Sequence, residues 1–348
     1  MIGKLVQMSK RDKDDHPLVA VIGLGSSTKQ TQQRAMQLSD AGIPLVSAYL
    51  GADVLNYENI PGLIGISPSN RHYVEALRRY LDSIDLRSAV MVRDSNSHRS
   101  MDLFTQTLAN NFERQMGDVI KFPPVEFTGK AIPSEADPGL FQHVTPNICA
   151  AVSAGLQAVL YAGREVDINS FLVSLEGRTC RSAPLTILAA GLDLGEVLEG
   201  REQALRAANL TVIGTASVDA EGWAQDVEGT PAHFDDFLKA FQEQGFDPGH
   251  LDDAGAIMMH DALLTAARAV RLAAPEGTRS SPTADGVRAQ LLNLHTLYAI
   301  RGASGTLNFS AGSSVPGSPV GKPVPVLRYP RPADGPSRQA GPLYRVTD

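Results

Sequence analysis

The sequence is poor in the features that would assign it a chemistry. It has two cysteines in 348 residues, Cys149 and Cys180. Neither belongs to a CxxC pair, so a zinc site lacks ligands at the usual spacing. The two thiols are either separate buried groups or a disulfide; the bond would close a loop of about 31 residues and contribute roughly 3 kcal/mol in the chain-entropy model. No apolar run approaches the roughly 20 residues that span a bilayer. Met1–Pro17 is polar and mixed in charge, without the apolar stretch of a secretory signal. An excess of positive charge is also lacking. The net charge is −7, which gives no reason to expect nucleic acid or an anionic membrane as partner. The motifs of common enzymes are missing as well: there is no HExxH, GxSxG or Walker sequence, and no close Cys/His pattern. His260 and Asp261 are adjacent on an expected helix, about 100° apart, which makes a poor dyad. No catalytic residue, metal or cofactor is therefore expected, and the chain reads as a non-enzyme.

What is present is an ordinary globular composition, 43% hydrophobic and 20% charged, enough for a real core. The length suits two domains or one domain of two lobes. Short apolar runs alternate with helical stretches. Leu18–Ile22, Leu45–Ser47, Ala89–Val92, Val119–Phe122, Ala158–Tyr161, Leu185–Ala189 and Leu210–Ile213 read as strands. Thr28–Asp40, Asn70–Asp82, Ser100–Phe112, Pro146–Ala154 and Asp167–Leu175 read as helices. That alternation predicts an α/β fold of parallel sheets with helices on both faces. From Thr230 to Asn293 the rhythm changes to three helices, near Pro231–Glu243, Asp252–Ala273 and Pro282–Leu294. Met258, Ala262, Ala266 and Ala269 form a core-facing stripe on the second. Short strands follow around Gly302–Phe309 and Val324–Leu327, and residues 331–348, rich in Pro, Gly and Arg, read as a disordered tail.

In open parallel sheets ligands bind beyond the carboxyl ends of the strands, which selects a short list of loops. After Ile22 comes a Gly/Ser loop, Gly23 to Thr28, in which Ser26 and Ser27 open a helix and present amides and hydroxyls to an acceptor. It is not GxGxxG and lacks the lysine of a P-loop. After Ser47 come Tyr49, Leu50, Gly51 and Ala52. After Val92 comes a polar run containing His98. Arg164 follows Tyr161, and Asp193 follows Ala189. Each has a plainer alternative: a helix cap, a surface histidine, an exposed ion pair, a turn residue. Their convergence on one edge favours a ligand site.

The stretch Val19–Leu55 resembles the type I periplasmic binding proteins, the branched-chain amino acid binding proteins of ABC transporters and the related receptor ligand-binding domains. Gly62–Tyr80, Ser88–Asp94, Ala158–Phe171, Asp261–Ala269 and Gly302–Asn308 continue the resemblance in order, over most of residues 18–328. It implies two Rossmann-like lobes, the first from residues 1–85 and 217–302, the second from 86–216 and 303–330, closing on a ligand. Ser26, Ser27, Tyr49, Leu50 and Gly51 would bind from the first lobe, and His98, Arg164 and Asp193 from the second. The family begins with further strand–helix units before the strand matching Leu18–Ile22, so the first lobe reads as N-terminally incomplete. Leu50, Gly51 and Ala52 stand where amino-acid binders carry a threonine, and His98 and Arg164 where leucine-type binders carry tyrosines. An exposed Arg164 points to an anionic ligand, and implies that Arg164→Ala weakens binding more than folding.

The resemblance implies a protein that traps a small polar, anionic or amino-acid-like solute for an ABC transporter permease. The alternative is a ligand-sensing domain working with further domains of a larger polypeptide, and a third reading is an enzyme on this fold. A dimer is compatible with either. The location is extracytoplasmic if the parent polypeptide carries a signal peptide and cytoplasmic otherwise.

Overall fold

The computed structural model describes residues 2–9, 18–95, 102–129, 137–176, 183–195, 197–225, 229–251, 254–274, 281–310, 312–313, 315–332, 338–340 and 343–347. The chain divides into two compact units. The first comprises Met1–Ser69, Glu228–Pro323 and Arg345–Asp348; the second comprises Asn70–Val227 and Val324–Tyr344.

The first unit opens with α1 (Ile2–Ser9), which packs on α2 (Lys29–Asp40). Between them lies β1 (Val21–Ile22), and after them β2 (Leu45–Ser47) and β3 (Leu63–Gly65). These strands pair in parallel in the order β1-β2-β3, with Val21 opposite Leu45 and Leu45 opposite Leu63. Thr28 caps α2, its hydroxyl accepting from Thr31 N at 3.1 Å, which satisfies an amide that has no partner inside the helix. Gly42, at φ 74°, takes the left-handed conformation after the helix that a side chain would resist.

The second unit begins with α3 (Asn70–Ile84), then β4 (Ala89–Asp94), α4 (Leu103–Met116), β5 (Val125–Phe127), α5 (Val144–Ser153), β6 (Ala158–Ala162), α6 (Glu165–Glu176), β7 (Leu185–Ala190), α7 (Glu202–Ala207), β8 (Leu210–Thr215) and α8 (Ala220–Trp223). The chain then returns to the first unit for α9 (Phe234–Glu243), α10 (Gly255–Ala273), α11 (Ala284–Leu291), β9 (Ile300–Gly302), β10 (Gly305–Phe309) and β11 (Pro319–Val320). β12 (Pro323–Val324), β13 (Val326–Tyr329) and β14 (Tyr344–Arg345) close the sequence. In the first unit α10 packs against β1, β2 and α11, while β10 pairs antiparallel with both β9 and β11.

The second unit holds the larger sheet, ordered β13-β8-β7-β6-β4-β5; all but β13 run parallel. Every residue of β6 is buried, as expected of a strand covered on both faces. Val74, Leu77 and Leu81 turn the buried face of α3 toward β7 and β8. That helix therefore belongs to the second unit rather than the first, where the sequence reading put it. Strand β10 moves the other way, into the first unit, because it pairs with β9, which packs on α10.

Three further differences have physical causes. The run Val119–Phe122 makes one bridge, Ile120 to Ala89, and the strand forms after Pro123 and Pro124, which have no amide to donate. Helix α4 starts at Leu103 because Asp102 caps it. The end of the chain, read as a disordered tail, contributes residues with fixed partners. Tyr344 and Val346 are buried, Val346 N donates to Lys322 O at 3.0 Å, and Ala340 N donates to Val326 O at 2.7 Å. Composition concealed two apolar residues with a place in the core. Among the described residues no helix is long and apolar enough to cross a membrane.

His72, buried on α3, carries a pH-dependent contribution. Burial first, and the neighbouring Arg71 charge second, lower its pKa from 6.5 to about 4. A histidine held neutral in the fold protonates more readily once unfolded. The unit is thus expected to lose stability as pH falls from 6.5 to 4, by up to about 3 kcal/mol in total. Urea midpoints across that range, compared with His72→Gln, test this. An equal acid dependence in the variant would assign the loss to other groups.

Candidate functional site

The five parallel strands of the second unit end on one edge. After β4 the chain goes through α4 to β5 on one side, then crosses to β6 on the other side of β4. This reversal is a topological switch point, where open α/β sheets hold ligands. Ser95 N donates to Phe127 O at 2.8 Å and Asp94 accepts from Gly129 N at 3.0 Å, which ties the ends of β4 and β5 together. His98, in the segment joining β4 to α4, lies outside the described residues.

Arg164 follows β6. Gly163 precedes it, and a Cβ there would sit 2.6 Å from the buried Tyr161 ring, so glycine lets the backbone turn over that ring. Tyr161 in turn donates its hydroxyl to Arg164 O at 3.1 Å. The guanidinium does not face water alone. Its Nε and Nη2 each lie 2.6 Å from an oxygen of Asp102, and it stacks 4.9 Å from the Phe104 ring centroid. The same carboxylate accepts from Phe104 N and Thr105 N. Asp102 thus caps α4 and neutralises Arg164 at once, and the fork expected to hold a ligand anion already holds a carboxylate. Beside this pair, burial pushes the Glu165 carboxyl above its ordinary pKa; Arg164 opposes the shift and Asp102 adds to it.

Asp193 stands after β7, half-buried. The turn before it needs Gly191, at φ 66° and with a Cβ position 2.7 Å from the Tyr73 ring. Asp193 faces Tyr329: burial raises that phenol's pKa, Arg338 opposes, and the Asp193 charge raises it further.

In the first unit the residues after β1 and β2 form a second polar edge. Ser26 is exposed. Ser27 is buried, and its hydroxyl oxygen accepts from Gly51 N at 3.1 Å and Ala52 N at 3.2 Å. It joins the two candidate loops instead of offering lone pairs outward. Leu50 and Gly51 are buried. Tyr49 is 43% exposed and donates to Gly255 O at 3.1 Å. Ser26, Ser27, Tyr49, Leu50 and Gly51 are therefore brought together within this unit, as Asp102, Arg164 and Asp94 gather at the switch point of the other. Cys149, on α5, is disulfide-bonded; Cys180 lies outside the described residues. Among the described residues no group of three His, Cys, Asp or Glu is placed to hold a metal ion.

No family model matches the sequence, and no curated protein matches it. Solved structures do. An ABC transporter substrate-binding protein from Desulfitobacterium hafniense in complex with Leu is similar over 99% of this chain and 84% of its own, with a TM-score of 0.65 at 16% identity. A leucine binding protein from Thermotoga maritima covers 99% of this chain and 83% of its own, with a TM-score of 0.63 at 14% identity. A solute binding protein from R. palustris in complex with benzoate covers 100% and 84%, with a TM-score of 0.63 at 15% identity. The chain has the type I periplasmic binding protein fold.

Within that fold, two features escaped the sequence. Asp102 and Arg164 are 62 residues apart, and nothing local links a helix cap to an arginine on another strand. Asp261 is fully buried and accepts from Ala303 N at 2.8 Å, Ser304 N at 2.9 Å and Ser304 Oγ at 2.5 Å. His260 Nδ1 also reaches it, at 2.9 Å, despite the angular offset expected of helix neighbours. Here this carboxylate fastens the β9–β10 hairpin to α10.

Proposed function

We propose that the chain is the substrate-binding component of an ABC transporter and takes a small polar solute bearing a carboxylate at the carboxyl edges of its parallel sheets. The observation that carries this reading is the whole-chain likeness to solute-binding proteins, 99% of this chain at a TM-score of 0.65. The similar structures hold Leu, isoleucine, benzoate and p-hydroxybenzoic acid, all of them carboxylates. The loop after β1 supplies the means: the exposed Ser26 and the amides opening α2 suit an anionic oxygen. Arg164 is a positioning residue in this reading, since Asp102 occupies its fork. We read the chain as a binding protein and not an enzyme because the structures it resembles are solute-binding proteins.

A thermal-shift screen of α-amino acids and aryl carboxylates tests the proposal. Ligand at 100 times its Kd should stabilise the protein by about 2.7 kcal/mol. A screen in which neutral or cationic compounds alone give shifts would contradict the carboxylate assignment.

A further inference from the structure

The first unit contains a second set of ligand-like features on the β9–β10 hairpin, separate from the loops after β1 and β2. A cavity of about 330 Å³ is bounded by Thr230, His233, Arg301, Thr306 and Arg345. A second cavity, of about 410 Å³, is lined by Phe237, Phe241, Phe246 and His260 and shares His233 and Arg301 with the first. One wall is cationic and the other aromatic.

Arg301 and Arg345 are both exposed. Among the described residues neither forms an ion pair with a carboxylate; Arg345 reaches Gly321 O at 3.4 Å, a weak contact. Two arginines on one small cavity repel each other, and a bound anion would relieve that repulsion. The nearest acids do not fill this role. Asp236 points to solvent and lies 3.3 Å from His233 Nδ1. Asp261 lies behind Gly302, where a Cβ would come within 2.3 Å of its carboxylate, but its oxygens are engaged by the hairpin amides, Ser304 and His260.

The aromatic wall is incompletely covered. Phe237 and Phe241 stack at 5.7 Å, Phe241 and Phe246 lie 4.9 Å apart, and Phe237 meets His260 at 4.9 Å. Phe246 is 57% exposed. Rings left against water favour an apolar cover, and the shared His233 and Arg301 set that cover directly beside the arginines.

We propose that the two cavities form a second small-molecule site, taking an organic anion, carboxylate or phosphate, borne on a phenyl-sized apolar group. The arginines hold the anion and the phenylalanines hold its stem. The site is independent of the solute site at the strand edges.

The test is calorimetry on the full chain with three probes: 4-phenylbutyrate, its neutral analogue 4-phenylbutanol, and inorganic phosphate. 4-Phenylbutyrate should bind saturably, the alcohol at least tenfold more weakly, and the double variant Arg301→Gln/Arg345→Gln should weaken 4-phenylbutyrate and phosphate by about tenfold or more. Phe246→Ser should weaken 4-phenylbutyrate and leave phosphate unchanged. Both sets of substitutions fall on exposed side chains, so the fold survives them. Hydrogen-exchange protection should fall on residues 229–233 and 300–306, not on 24–27 or 49–51. Absence of saturable binding up to about 10 mM, an equal affinity for the alcohol, an affinity unchanged in the arginine double variant, or protection confined to 24–27 and 49–51 would each overturn the assignment.

Discussion

Arg164→Ala is expected to cost the protein about 3 kcal/mol of stability. Asp102 retains only 7% side-chain exposure and Arg164 19%, so removing the guanidinium leaves a buried carboxylate without its counter-charge. Breaking such a pair costs roughly 3–5 kcal/mol when both partners are fully buried. The part-exposure of Arg164 and the two amides that Asp102 keeps hold the effect at the lower end. Arg164→Lys should fall between, because an ammonium cannot reproduce the two parallel contacts of the guanidinium. Changing both partners, Arg164→Met with Asp102→Asn, should recover part of the loss, since no charge is then stranded. Urea unfolding of the single and double variants measures all three. A single variant within about 0.5 kcal/mol of the parent would return Arg164 to the exposed surface role read from the sequence.

The second large effect is expected at Lys322, which is fully buried in the first unit. Its ammonium nitrogen donates to Ile66 O at 2.9 Å and lies 3.4 Å from Met258 Sδ. Burial lowers its pKa from 10.5 to about 7, with Asp261 opposing the shift. Asp261 responds in kind: burial raises its pKa, but His260, Lys322 and Ser304 outweigh this and hold it below the ordinary value. Between pH 7 and 10.5 the unfolded lysine binds a proton that the folded one has released, so stability rises with pH across that window. The slope approaches about 1.4 kcal/mol per pH unit. Lys322→Met should abolish that slope. The difference between parent and variant cancels other groups that titrate in the same range, and parallel curves would contradict a buried, neutralised lysine.

The strand framework was legible because its signal is local. AVMV at Ala89–Val92 and AVLY at Ala158–Tyr161 are short, wholly apolar runs between polar turns, and both lie in the six-stranded sheet of the second unit. Strand β3, Leu63–Gly65, was not read from the sequence. The loops at the carboxyl edges followed from the parallel topology. What their side chains do there did not follow. Ser27 bonds backward to Gly51 and Ala52, and Arg164 to Asp102 across 62 residues. Both depend on where distant segments meet, and an isolated serine or arginine looks the same whether it faces a ligand or a neighbour. Asp261 and Lys322 were hidden for the same reason: a charged residue on a helical or loop stretch reads as exposed until its partners are known.

Hydrogen exchange with and without a carboxylate found in the thermal-shift screen tests the solute-binding account most directly. The account predicts new protection at two sets of peptides, one covering residues 24–27 and 49–51, the other covering 94–95, 163–165 and 191–193. Saturable binding without added protection at either set would contradict it.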